Sequence, residues 1–298
     1  MKGTIMWLAD QWKDYEVIDC SNGEKLERWG TYLLQRPDPQ VIWQTPRGAA
    51  WNHPNAIYHR SSRGGGEWEF FSLPEQWTIR YGDALTFRLK PFSFKHTGLF
   101  PEQAANWEWF SRLIRQENRP KDRPVRVLNL FAYTGGATVA AAAAGAHVTH
   151  VDASKGMVGW AKENAQISGV PETSVRWIVD DCQKFVEREL RRGKTYDAII
   201  MDPPSYGRGP RGEIWKVEDA IHPLVRLCAG LLSDHPLFFL ISGYTTGFAP
   251  SVLSYLISLE VVPRFGGRVE SDEIGLPVTQ TGLALPCGSS GRWCREDA

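Results

Sequence analysis

The chain has no excess of charge of either sign, since Lys plus Arg and Asp plus Glu each number 34. A global pull toward polyanions is therefore excluded, and any nucleic-acid site must be a local patch. Cysteine is scarce and scattered, at Cys20, Cys182, Cys228, Cys287 and Cys294, without a CxxC pair. An odd, unpaired set argues against a disulfide framework and a thiolate metal knuckle, and reads as the reduced thiols of a cytoplasmic protein. His96, His222 and His235 lack metal-ligand spacing, so no metal is expected. No apolar run approaches the ~20 residues of a membrane span, and the apolar part of "MKGTIMWLADQWKDYE" is too short for a signal segment. Internal repeats and low-complexity tracts are missing as well. What remains is 298 residues with 42% hydrophobic content, enough to bury a full core in one large domain or two smaller ones.

Two textures divide the chain. Up to about Lys90, the short β-branched or aromatic runs "YEVIDC", "TYLLQR", "QVIWQT", "AIYHRS", "WEFF" and "LTFRLK" are split by Pro, Gly and Asn. They predict a small mixed-β domain over residues 1–90. Residues 91–120 form a linking segment, in which "PEQAANWEWFSRLIRQEN" sets Ala104, Trp107, Phe110, Ser111 and Ile114 at helical spacing behind Pro101. Over 121–298, strand-like and helix-like runs alternate. "VRVLNLF", "AHVTHVD", "SVRWIVD", "YDAIIMD" and "PLFFLIS" are buried-type strands; "ATVAAAAAG" and "KGMVGWAKENAQISG" are helices closed by Gly145 and Gly169. Such alternation predicts an α/β fold with a parallel, Rossmann-like sheet covered on both faces. Beyond Phe248, a helix "SVLSYLISLE" and β stretches around "VVPRF" and "TGLALPC" predict a terminal hairpin that closes the sheet.

In such sheets ligands bind outside the carboxyl ends of the strands, where strand order reverses, so the turn after the first strand is the place to look. A dinucleotide fold carries G-x-G-x-x-G there, because the second glycine lets the backbone approach a pyrophosphate. This chain reads "VLNLFAYTGG", with the bulky Phe131 and Tyr133 where close approach is needed and Gly135 and Gly136 at the helix start. A pyrophosphate, and with it an NAD-dependent oxidoreductase, is disfavoured. A phosphate-free, cationic cofactor suits aromatic faces better, and S-adenosylmethionine (SAM), with its sulfonium, is one. Its ribose diol requires a carboxylate, and Asp152, with the adjoining Ala153 and Ser154, ends the second strand 17 positions after Gly135. At the end of the third strand, "VDDCQKF" offers Asp180, Asp181 and Cys182 for an adenine ring. Each of these Asp residues also reads as a helix cap, a role that Asp favours.

"VLNLFAYTGG" resembles the first motif of class I SAM-dependent methyltransferases, whose common text is close to "VLDLGCGTG". Asn129, Phe131, Tyr133 and Gly135 fall on its Asp and three glycines, and only the last glycine is kept. The departure resembles the large-subunit rRNA methyltransferases of the cytosine-C5 type, which write "F-x-Y-T-G-G". The resemblance implies a class I methyltransferase domain with SAM as cofactor, and favours Asp181 as the adenine acceptor. It covers about Lys95 to Gly243 well and the N-terminal part poorly. Upstream, "KHTGLFPEQAANWEWF" is similar to that family's "K-T-G-x-x-x-D-Q-R", with Gln103 on its Gln, which implies that Phe100, Glu102 and Gln103 cover the cofactor. The other reading of that stretch is an amphipathic interdomain helix.

The fourth strand runs into "YDAIIMDPPSYGRGPRG". Asp202 can accept a hydrogen bond or a proton from an acceptor, Pro203 and Pro204 stiffen the turn, and Tyr206 can stack on a base. "DPPSY" is closer to the "D-P-P-x-F" of the rRNA group than to amino-methylating enzymes, in which an aromatic follows Pro-Pro at once. Cytosine C5 methylation in that group needs a cysteine just after the fifth strand. Here "LISGYTTGF" supplies Ser242, Gly243 and Tyr244 instead, which favours a nitrogen or oxygen acceptor. Cys182 and Cys228 read as core thiols. Arg208, Arg211 and Lys216 around the acceptor loop, with Arg60 and Arg63 upstream, are the candidate basic patch, and Trp51 and Trp215 the tryptophans expected to be exposed. The leading expectation is a SAM-dependent methyltransferase acting on RNA, with rRNA as its partner. Alternatives are a small-molecule or protein methyltransferase with the same cofactor, and a non-catalytic SAM- or RNA-binding module.

Overall fold

In the computed structural model the described residues are 6–61, 65–92, 94–117, 119–120, 122–208, 214–245 and 248–296. The chain forms two compact units. One holds Trp7–Ala105 with Ile274–Cys287, the other Asn106–Glu273 with the residues from Gly288 on.

The first unit is built on β1 (Trp7–Leu8), β2 (Tyr15–Ser21), β3 (Glu24–Trp29), β4 (Tyr32–Pro37), β5 (Ala56–Arg60), β6 (Gly66–Phe70), β7 (Trp77–Tyr81) and β8 (Leu85–Leu89). β2 to β6 make a five-stranded sheet in chain order, and β7 pairs with β8. Strands β3 and β7 lie outside the apolar runs of the sequence, whereas "QVIWQT" is not a strand. β3 carries its charge inward: Glu27 is buried, takes the Tyr15 hydroxyl at 2.6 Å and is forked by Arg36 at 2.6 and 2.8 Å, a satisfied pair that permits a charged strand in a core. Trp51, expected at the surface, is only 7% exposed; its indole donates to Asp19 at 2.7 Å and Arg47 covers its ring.

The second unit begins within α1 (Ala104–Gln116) and alternates thereafter. Its elements are β9 (Arg126–Leu130), α2 (Gly136–Ala143), β10 (His147–Asp152), α3 (Lys155–Ile167), β11 (Val175–Val179), α4 (Cys182–Arg191), β12 (Ala198–Met201), β13 (Tyr206–Arg208), β14 (Ile214–Lys216), α5 (Val217–Ala229), β15 (Phe238–Gly243), α6 (Pro250–Glu260), α7 (Val262–Phe265), β16 (Arg268–Pro277) and β17 (Ala284–Cys294). "VVPRF" is thus the short helix α7. The terminal hairpin instead joins β16, too polar to be read as a strand, to β17; both run on into the residues of the first unit, where β1 pairs with β16.

The sheet order β16-β17-β15-β12-β9-β10-β11 places the first strand of the unit, β9, in the middle of the five strands β15-β12-β9-β10-β11. β15, β12, β9, β10 and β11 are parallel, and β17 is antiparallel to β15. The chain winds outward from β9 through β10 and β11, then returns to β12 on the other side. That reversal is a topological switch point, and it opens between the carboxyl ends of β9 and β12. β12 is buried along its whole length, as a strand covered on both faces must be. On one face Leu128, Leu130, Ile199, Met201, Phe239 and Ile241 pack with Phe185, Leu224, Val225 and Ile257 of α4, α5 and α6.

Candidate functional site

The turn after β9 is strained and heavily tied down. Phe131 and Tyr133 have φ of 54° and 51°, a left-handed conformation that bulky residues rarely adopt. The Phe131 N–H donates to Cys182 Sγ at 3.3 Å, the Ala132 N–H to the Val151 carbonyl at 3.1 Å, and the Tyr133 N–H to Asp152 Oδ2 at 2.9 Å. Asn164 of α3 donates to the Thr134 carbonyl at 2.9 Å. Strain survives where its surroundings over-determine it, and it clusters at ligand sites. Beneath the turn runs a buried polar chain: Asn129 donates to Thr138 Oγ1 at 2.9 Å, which lies 2.9 Å from His150 Nδ1.

Two of these residues yield stability predictions. Gly135 caps α2 with φ 84°, and a Cβ there would lie 2.8 Å from the Ala161 Cβ. Gly135→Ala is expected to cost about 2–4 kcal/mol from left-handed strain and overpacking together, measured by denaturant unfolding. The close approach of α3 therefore requires a glycine at this position. Burial lowers the pKa of His150 to about 3. The folded state refuses a proton that the unfolded chain accepts below about pH 6.5, so stability falls as the pH drops from there. Between pH 6.5 and 4.5, wild type should lose about 2 kcal/mol more than His150→Gln; equal losses would show that His150 does not set the acid limit.

Asp152 ends β10 half-buried, and its carboxylate is oriented by main-chain donors, Tyr133 N–H on Oδ2 and Ser154 N–H on Oδ1 at 2.8 Å. Burial raises its pKa against the pull of those two bonds. A fixed carboxylate with lone pairs to spare can accept both hydroxyls of a vicinal diol. Ser154 caps α3 through Met157 N–H, and Ala153 is exposed beside it. Asp181 caps α4, taking Lys184 N–H at 2.9 Å, and Asp180 pairs with Arg188. The capping role thus holds for Asp181, whose position at the end of β11 is nonetheless on the same sheet edge as Asp152. Phe100, Glu102 and Gln103 belong to the other unit, in and just before a 3₁₀ turn, and burial raises the pKa of Glu102.

Asp202 follows β12 directly, beside the Phe131 turn, because Met201 and Leu130 are register partners. Pro203 is buried, Pro204 exposed, and Tyr206 50% exposed at the start of the β13–β14 hairpin. Trp215 of β14 is half-buried, and its indole N–H donates to the Pro204 carbonyl at 2.7 Å. Ser205 Oγ lies 2.7 Å from Thr245 Oγ1, which ties the loop to the segment after β15. The role of Trp215 escaped the sequence reading, which had it only as an exposed ring; no local pattern says that residue 215 returns to residue 204. Lys216 and Arg60 are exposed, whereas Arg63, Arg211 and the side chain of Arg208 lie outside the described residues.

Where a cysteine nucleophile would stand, Ser242 is 2% exposed and is bonded to Asn106 at 3.3 Å and Ser290 at 3.3 Å. Burial raises the pKa of all five thiols, which works against a thiolate at any of them. Among the described residues no His, Cys, Asp and Glu group is arranged to hold a metal, and no helix is long and apolar enough to cross a membrane.

Fold and switch-point site together define a class I, Rossmann-like methyltransferase. The chain belongs to the S-adenosylmethionine-dependent methyltransferase family, whose model matches residues 41–245. It is similar, at 36% identity, to a SAM-dependent methyltransferase from Agrobacterium tumefaciens whose crystal structure superposes with a TM-score of 0.89 over 99% of this chain and 94% of that one. Over 137 residues, 46% of this chain, it is 36% identical to the ribosomal RNA large subunit methyltransferase K/L of Shewanella baltica; the protein of that name from Pseudoalteromonas translucida is 35% identical over 126 residues. The matched region covers 18% and 16% of those two proteins. A Streptococcus mutans structure, 19% identical with a TM-score of 0.70 over 95% of this chain and 76% of that one, shares the fold.

Proposed function

We propose that the chain transfers the methyl group of SAM to a nitrogen or oxygen atom of an RNA base, with ribosomal RNA as the substrate class. The observation that carries the reading is the meeting of the Phe131–Tyr133 turn and the Asp202-Pro203-Pro204 loop at adjacent strand ends on the switch point. When bound, SAM supplies an electrophilic methyl on a sulfonium. Asp152 accepts the ribose diol, the Phe131 and Tyr133 faces meet the cation, and Asp181 with the Cys182 backbone borders the adenine.

On the acceptor side, the proline pair fixes the backbone so that Asp202 holds the acceptor N–H or O–H in line with the methyl and receives its proton; Tyr206 stacks on the base. Orientation of this kind is worth as much as ~7–11 kcal/mol in well-aligned reactions, so a stiff loop is the apt device. The five thiols, whose pKa burial raises, and the buried Ser242 favour a heteroatom over cytosine C5. The names of the K/L relatives support an RNA substrate. The test is transfer of radiolabelled methyl from SAM to total RNA from cells that lack this protein, beside protein and small-molecule fractions. Label confined to a fraction other than RNA moves the acceptor to another class.

A further inference from the structure

The β13–β14 hairpin has two unlike faces. Its register pairs Tyr206 with Lys216, Gly207 with Trp215 and Arg208 with Ile214. Tyr206, Lys216 and Ile214 share one exposed face, and Trp215 lies on the other, opposite a glycine. There its ring meets the ring of Phe131, with centroids 5.0 Å apart and planes at 53°. One side chain therefore touches both halves of the proposed site: the indole N–H holds the Pro204 carbonyl at 2.7 Å, and the indole face holds Phe131. Phe131 is the left-handed residue whose N–H is bound to Cys182 at the head of α4, next to Asp181. The loop is pinned a second time where Val217 N–H donates to the Ser205 carbonyl at 3.1 Å. A Pro-Pro segment has no N–H of its own with which to anchor itself, so its register must come from groups that donate to its carbonyls. Trp215 is such a donor, and it is mounted on the cofactor turn.

We propose that Trp215 is a positioning residue that sets the register of the acceptor loop on the cofactor turn, so that occupancy of the SAM site is felt at Asp202-Pro203-Pro204. The proposal rests on the reading of these two segments as cofactor and acceptor sites. Its two contacts are separable: Trp215→Phe keeps an aromatic face against Phe131 and removes the N–H, whereas Trp215→Leu removes both.

The first readout needs no acceptor. Hydrogen exchange of the intact protein with and without S-adenosylhomocysteine (SAH) should show that SAH slows exchange in the peptide carrying the Val217 amide in wild type, and that this protection falls by at least half in Trp215→Leu. The second readout is methyl transfer to total RNA. Trp215→Phe should bind SAH within about twofold of wild type and transfer methyl roughly five- to tenfold more slowly at saturating RNA, the loss expected of one hydrogen bond. Trp215→Leu should be slower still and should bind SAH several-fold more weakly. Equal SAH protection of the Val217 peptide in wild type and Trp215→Leu overturns the proposal. So does a Trp215→Phe protein whose transfer rate equals wild type. Parallel loss of SAH affinity and thermal stability in Trp215→Phe also overturns it, since a purely structural residue behaves that way. Wild-type protein that shows SAH protection but labels no RNA overturns the RNA reading alone, because the exchange result still decides the role of Trp215.

Discussion

Asp202→Ala is expected to bind SAH within about twofold of wild type and to transfer methyl about 10²- to 10⁴-fold more slowly, the range over which a positioned acid–base group acts. The expectation follows from where the residue stands. β12 is fully buried, so the backbone that carries Asp202 is held by the core, and the proline pair behind it removes the freedom that a loop otherwise has. The groups that the second unit offers to the cofactor lie at or just beyond the ends of β9, β10 and β11. Loss of SAH binding in step with turnover would show instead that Asp202 belongs to the cofactor site or to the fold. Asp202→Asn divides the two roles given to the carboxylate. An amide that retains most of the activity means that orientation is the larger contribution, and one as slow as alanine means that the proton must be received there.

Asp152→Ala is expected to weaken SAH binding about a hundredfold, measured by calorimetry. Two hydrogen bonds from the ribose to a charged acceptor are each worth about 1.5–3 kcal/mol, so even partial compensation by water leaves a loss of that order. The same side chain orients Tyr133, so the strained turn loosens as well. A pH signature accompanies the affinity. Burial raises the Asp152 pKa, and the diol is best accepted by the charged form. Binding should therefore weaken on acidification at a higher pH than an unperturbed aspartate would give, and Asp152→Ala should lack this dependence. Unchanged affinity in the variant, at any pH, would remove Asp152 from the cofactor site.

Much of the second unit was legible in the sequence because its information is local. A buried parallel strand is apolar over most of its length, and the five runs from "VRVLNLF" to "PLFFLIS" each match the strand found there to within two residues. Gly145 and Gly169 stand in the left-handed conformation that a helix end requires, at φ 104° and 68°. The candidate residues Phe131, Asp152, Asp181 and Asp202 were legible for the same reason, since in a parallel sheet the residue that follows each strand lies on one edge. Strand β3 was not legible, because its charged residues are accommodated by partners from other strands, as Glu27 is by Tyr15 and Arg36. Trp51 was misplaced for a related reason: glycine and proline around it suggested a surface loop, but Asp19 and Arg47 enclose it.

The sequence by itself determined the alternation of strand and helix, the absence of a dinucleotide loop, and which residues end the strands, because each of these follows from the chemistry of a few neighbouring side chains. Only the tertiary structure decided that β9 lies in the middle of the parallel strands with β12 beside it, which sets the Phe131 turn against Asp202, and that Trp215 folds back to hold both. The pairing order of a sheet depends on crossovers of tens of residues and on the packing of whole helices against whole faces, and no local segment carries that information.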